Sequence, residues 1–168
     1  MKYSRIVPVL ALILAASPQT LQSQNIYQKK TVVKATIAGS HNLYDGTFSA
    51  SGTASICGEI PKMSSMTGTA VFVVEYPNDD PGTAQIQSVS FGSKALVGNV
   101  KKTGLFSLNV AVRLPNGSKP YAYVLNTDSG RPGNSGTATR TSAGGVNRIT
   151  VVGKSERNET INFSLECK

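Results

Sequence analysis

The chain has no tryptophan, a single histidine and two cysteines in 168 residues. Sugar-binding platforms are commonly built on exposed indole and phenol rings, so the missing tryptophan removes their strongest anchor. A serine nucleophile would have His41 as its one conventional base, and no Gly-x-Ser-x-Gly elbow accompanies it. A hydrolase centred on His41 is therefore the weakest of the functional readings. Two cysteines and one histidine do not complete a zinc shell. Acidic residues are also few, nine against seventeen Lys and Arg. A glycosidase needs two carboxyl groups facing each other across a cleft, and nothing in the order of residues pairs any of the nine. Asn78-Asp79-Asp80 lacks EF-hand spacing and reads as a charged turn, not a calcium loop. The expectation is a protein without catalysis, metal or cofactor.

Blocks of like charge are absent as well. The net charge of +8 is spread along the chain, and Lys29-Lys30 and Lys101-Lys102 are the only adjacent basic pairs. Arms that bind nucleic acid usually carry five or more like charges in a row, so no nucleic-acid partner is expected. Attraction to anionic cell-surface polymers is the better consequence of this charge.

Long apolar runs are confined to the start of the chain. Lys2 and Arg5 precede Ile6 to Ala16, and Ser17-Pro18-Gln19-Thr20 closes the run. A basic head, a short apolar middle and a small polar tail form a secretory signal peptide. The run is too short for a spanning helix, which needs roughly 20 apolar residues, so no transmembrane anchor is expected. Cleavage after Leu21-Gln22-Ser23 gives residues 1–23 as signal peptide and 24–168 as one domain of ordinary size. No cysteine ends the apolar run to accept lipid. The expected location is secreted or periplasmic.

Export bears on the two cysteines. An oxidising compartment favours a Cys57–Cys167 disulfide. It would close a loop of nearly the whole domain, and on the chain-entropy model such a loop contributes on the order of 4–5 kcal/mol.

The rest of the chain is rich in Thr, Ser, Val and Gly, and its recurring pattern is alternation of period two. Thr31–Ile37 reads as a first strand. Thr47–Ile56 places Phe48, Ala50, Gly52, Ala54 and Ile56 on one face, with a turn or bulge at Cys57-Gly58. Thr67–Tyr76 is apolar throughout and suits a central strand. Ala84–Phe91 and a short Leu96–Val100 follow. Gly104–Leu114 alternates most clearly, with Phe106, Leu108, Val110, Val112 and Leu114 on one side. After Tyr121–Leu125 comes a flexible loop, Thr127–Asn134. Gly136–Thr141 and Arg148–Val152 read as a hairpin. In the last strand Ile161, Phe163, Leu165 and Cys167 share a face. About nine or ten short strands with turns between them predict an all-β fold, an antiparallel β-sandwich with a β-barrel as the alternative.

Ser55-Ile56-Cys57, Ile86–Gly92, Ser135–Thr139 and Ile161–Cys167 together resemble small exported bacterial surface antigens of the mycobacterial 19-kilodalton lipoprotein type. The resemblance covers about half of the expected mature chain. It implies an early cysteine paired with one at the end of the final strand, a cell-envelope or secreted location, and no catalytic residues. The chain departs from that pattern in lacking a lipidated cysteine.

Tyr121 and Tyr123 lie two apart on one strand, so their rings share a face near Lys119. A wet face would make the three a ligand platform for a carbohydrate-binding module; a dry face would make the rings core. Asn116, Asn158 and Asn162 head sequons that matter only in a glycosylating host. The expected role is a non-enzymatic binding or surface-interaction protein. Its extracellular or envelope ligand would be a polysaccharide or another protein, recognised by loops at His41–Asp45, Pro77–Gly82, Pro115–Lys119 and Thr127–Asn134. A strand-donating subunit of a surface assembly is the remaining alternative.

Overall fold

A computed structural model describes residues 27–39, 45–63, 66–73, 84–98, 100–115 and 119–168. They form ten strands: β1 Tyr27–Ala38, β2 Gly46–Met63, β3 Met66–Val73, β4 Gln85–Ser93, β5 Lys102–Thr103, β6 Ser107–Arg113, β7 Tyr121–Asn126, β8 Ser135–Ala143, β9 Val146–Lys154 and β10 Thr160–Cys167. No helix occurs among the described residues. The all-β antiparallel expectation holds. All ten strands belong to one sheet, ordered β5-β8-β9-β10-β1-β2-β3-β4-β6-β7, that curls into a half-barrel.

Connectivity forces the curl. Strands β7 and β8 stand eight strand spacings apart in the sheet order. A flat sheet would separate them by roughly 38 Å. Only residues 127–134 join them, and a connection of that length reaches roughly 30 Å at most. The sheet therefore curls until side chains near its β7 end reach β8 and β9, and its inner face becomes one core. Val33, Ala35, Ile37, Leu108, Val110, Val112, Ile149, Val151, Ile161 and Leu165 fill it, at the inward positions of their strands. Phe91 and Phe106 pack inside with ring centroids 6.2 Å apart.

Glycines make the closure possible. Gly136 and Gly153 are cross-strand partners on β8 and β9. A Cβ on Gly153 would lie 2.6 Å from Leu125 Cδ2 and 2.5 Å from the Ser135 carbonyl oxygen, and one on Gly136 would lie 3.3 Å from the Phe106 ring. Side chains from the far end of the sheet thus rest where β8 and β9 carry none. Gly153→Ala is expected to destabilise the fold by about 1–3 kcal/mol, read as a lower urea midpoint at unchanged slope. Gly92→Ala is the control, because its Cβ would meet nothing within 4 Å. Equal midpoints for the two variants would contradict this account of the closure.

Three local expectations are corrected. Leu96–Val100 is not a strand. Its polar groups are taken up elsewhere: Thr69 donates to the Leu96 carbonyl, Gly98 N–H donates to Glu59 Oε2 at 3.1 Å, and Val100 N–H donates to the Val97 carbonyl at 3.1 Å. It is a strap, with buried Leu96 as its anchor. β6 starts at Ser107 instead of Gly104, because Phe106 N–H and C=O both bond to the Thr127 hydroxyl, at 3.0 Å each. Nor does Cys57-Gly58 end its strand. β2 runs on to Met63, with a register shift against β3 between Ala54 and Ile56. The shift reverses the alternation: Phe48 and Ala54 face inward before it, and Cys57 does so after it.

Candidate functional site

Tyr123 is fully buried and belongs to the core, and Tyr121 packs against that core from a half-buried position. Their rings meet edge to face, centroids 4.9 Å apart. They do not form the exposed platform considered from sequence, and Lys119 stands exposed with no stacking surface of two rings to flank. Tyr121 instead closes a latch. Its hydroxyl donates to Glu159 Oε1 at 3.1 Å, and the Ser155 hydroxyl donates to Glu159 Oε2 at 2.8 Å. Arg157 donates to the Tyr121 oxygen at 2.6 Å, with its guanidinium 5.5 Å from the ring centre. The Tyr121 hydrogen bond holds the Arg157 guanidinium above its ordinary value, so it stays charged. Ser155 and Glu159 are each 2% exposed, closed to any substrate. The latch ties β7 to the β9–β10 connection and is structural.

Cys57 and Cys167 are bonded, 110 residues apart in sequence, and both are buried. Both cysteine-bearing strands flank β1. The bond is one formed in an oxidising compartment.

Of the four loops proposed for recognition, Thr127–Asn134 is fully described, and it is pinned rather than flexible. Asn126 Oδ1 accepts from the Asp128 and Ser129 N–H groups at 3.2 and 3.1 Å, and Asn134 Oδ1 accepts from Glu156 N–H at 3.3 Å. Pro77–Gly82 lies outside the described residues, as do His41 and most of the other two loops. Among the described residues no group of three or more His, Cys, Asp or Glu could hold a metal ion. No helix among them is long and apolar enough to cross a membrane.

The surface with the most concentrated chemistry is the outer face of β9, β10, β1 and β2. Pairing register sets it out in rows. Arg148, Glu166, Val32 and Ser51 stand side by side; the next row is Thr150, Ser164, Lys34 and Ser49; the next is Val152, Asn162, Thr36 and Thr47. Lys30 and Lys168 stand at the head of these rows, joined by a 2.9 Å backbone hydrogen bond from Lys168 N–H to the Lys30 carbonyl. Arg148 and Lys168 bond Glu166 at 2.5 and 3.0 Å. Among the described residues neither Lys30 nor Lys34 has a carboxylate within ion-pair distance. Two shallow hollows adjoin at the Val32–Glu166 pair. One, of about 460 Å³, is bordered by Lys30, Ser51, Thr53 and Lys168; the other, of about 360 Å³, by Lys34, Arg148 and Ser164. Together they make one groove across four strands.

The Arg148 hydrogen bond, then that of Lys168, holds the Glu166 carboxyl below the usual carboxylate range. A lowered value means the charged form is favoured by folding. That contribution is present at neutral pH and is lost as pH falls through the lowered value. In a carboxyl-carbon NMR titration Glu166 is expected to protonate below the usual carboxylate range, and Arg148→Gln is expected to move it upward. An unchanged midpoint in Arg148→Gln would show that the pair does not persist in solution.

Sequence reasoning missed these residues, though Val32, Lys34, Arg148 and Glu166 lay within strands it had already read; Lys30 and Lys168 stand just beyond the ends of theirs. What it lacked was adjacency, since β10 lies against β1 and brings the last residues of the sequence beside residues 30–34. No family model, curated protein or solved structure matches the chain.

Proposed function

We propose that the protein is exported through a cleaved signal peptide and acts, without catalysis, as a binding or surface-interaction protein whose recognising surface is the outer face of β9–β10–β1–β2. The observation that carries this reading is the groove centred on Val32 and Glu166, on a scaffold held by a buried disulfide. It moves recognition from loops to a sheet face. The basic head and apolar run of residues 2–16 support export, as does the resemblance to exported mycobacterial-type antigens that pair an early and a final cysteine. The test has two parts. Intact mass of the protein from its own host should match Gln24–Lys168 less two hydrogens, with thiols labelled only after reduction; a retained N-terminus or two free thiols would overturn export. Labelled protein should adhere to the host envelope, and Lys30→Glu with Lys34→Glu should release it. Adherence unaffected by that pair would overturn the assignment of the face.

A strand-pairing subunit is the second reading. Strand β7 pairs only with β6 among the described residues and carries Val124 at 46% exposure. A mass in solution that rises with concentration in the parent and not in Val124→Lys would favour it.

A further inference from the structure

We infer that the groove takes an acidic polysaccharide, a linear sugar polymer bearing carboxylates, and this rests on the face assigned under Proposed function. The first argument is the spacing of charge. Lys30 and Lys34 are four residues apart on one face of β1, roughly 13 Å, and Arg148 lies two strands away, roughly 10 Å. A compact anion such as phosphate is held by donors that converge on it within hydrogen-bond distance. These cations diverge, which suits charges repeated along a polymer.

The second argument is what lies between the cations. Lys34 has Ser164 on one side and Ser49 on the other, and the adjoining positions are Thr150, Ser51 and the Thr36–Thr47 pair, whose hydroxyls are 3.0 Å apart. A face of alternating hydroxyls can donate to and accept from the hydroxyls of a sugar chain. A polypeptide partner fits less well. Protein interfaces draw their energy from buried aromatic and arginine anchors, and the described outer positions of these four strands carry one arginine and no aromatic ring. A lipid surface fits less well again, because Val32 and Val152, at 57% and 59% exposure, are the only large apolar side chains exposed there among the described residues.

The third argument is the balance of charge. Four cationic side chains surround Glu166, which Arg148 and Lys168 already neutralise. Lys30 and Lys34 are left to meet the ligand.

Polygalacturonate is the probe, with dextran as a neutral sugar polymer and polyglutamate as a polyanion without sugar. The secreted protein is expected to bind polygalacturonate, more weakly as salt rises, and to leave dextran and polyglutamate unbound or far weaker. Lys30→Glu with Lys34→Glu should weaken binding by about tenfold or more at low salt. Lys94→Glu with Lys102→Glu, on the strap side, should leave it unchanged. Thermal melting of each variant separates lost binding from lost folding. Equal affinity for dextran would reduce the site to hydroxyl recognition, and equal affinity for polyglutamate would reduce it to charge; either result overturns the inference. Envelope adherence that depends on Lys30 and Lys34 in a protein that ignores polygalacturonate would overturn the polysaccharide assignment alone and leave the binding face standing. Loss of both dependences would remove the face as well.

Discussion

Replacing Cys57 and Cys167 together with alanine is expected to lower the unfolding free energy by about 4–5 kcal/mol. The cross-link spans 110 residues, so removing it returns to the unfolded chain the closure entropy of a loop of nearly the whole domain. Domains of this kind are stable by only about 5–15 kcal/mol in all. The loss should appear as a drop in Tm of roughly 10–20 °C and as a lower urea midpoint. Both sulfurs sit among apolar neighbours in the core, so the variant also loses packing on the inner side of β1, where β2 and β10 flank it. A double variant melting within about 2 °C of the parent would mean that the unfolded chain is not restrained by the bond. Dithiothreitol should act slowly on the folded parent, since neither sulfur is open to solvent.

Tyr123→Ala is the second large effect, expected at about 3–5 kcal/mol, the range for removing a fully buried large aromatic side chain. Tyr123 is among the largest wholly buried side chains and touches the ring of Tyr121. The experiment also decides between the two readings of the tyrosine pair that the sequence left open. A sugar platform would lose binding and keep its stability. A core pair loses stability, and binding to polygalacturonate at a temperature where the variant is still folded should match the parent. A Tyr123→Ala protein with the parent's urea midpoint would return the pair to the surface.

Local alternation was the legible part of this fold. The inward residues of β6 and β10 follow from period two alone, because a strand with one dry face must place its apolar side chains on every second position. The expectation of export, with only two cysteines to pair, pointed to the Cys57–Cys167 bond. The sequence did not disclose which face Cys57 occupies. Reading Thr47–Ile56 as an unbroken strand sends Ile56 inward and Cys57 outward, whereas the register shift between Ala54 and Ile56 turns Cys57 to the core. Leu96–Val100 misled for a related reason. It is apolar enough for a strand, yet its backbone groups bond to Glu59, Thr69 and its own turn instead of to a neighbouring strand.

What the sequence determined by itself is the material: alternating strands, turns, two cysteines, and a basic charge with few carboxylates to offset it. Those follow from composition and from near neighbours, and they are enough for an all-β antiparallel domain. The tertiary structure decided three other things. It joined the strands in one curled sheet, because the short β7–β8 connection cannot reach across a flat one. It buried Tyr123 and left Tyr121 to the Glu159 latch. It also set β10 against β1, so that Arg148, Glu166, Lys168, Lys30 and Lys34 share a face. Strand order is a property of pairings between distant segments, and period-two patterning carries no record of which strand lies next to which.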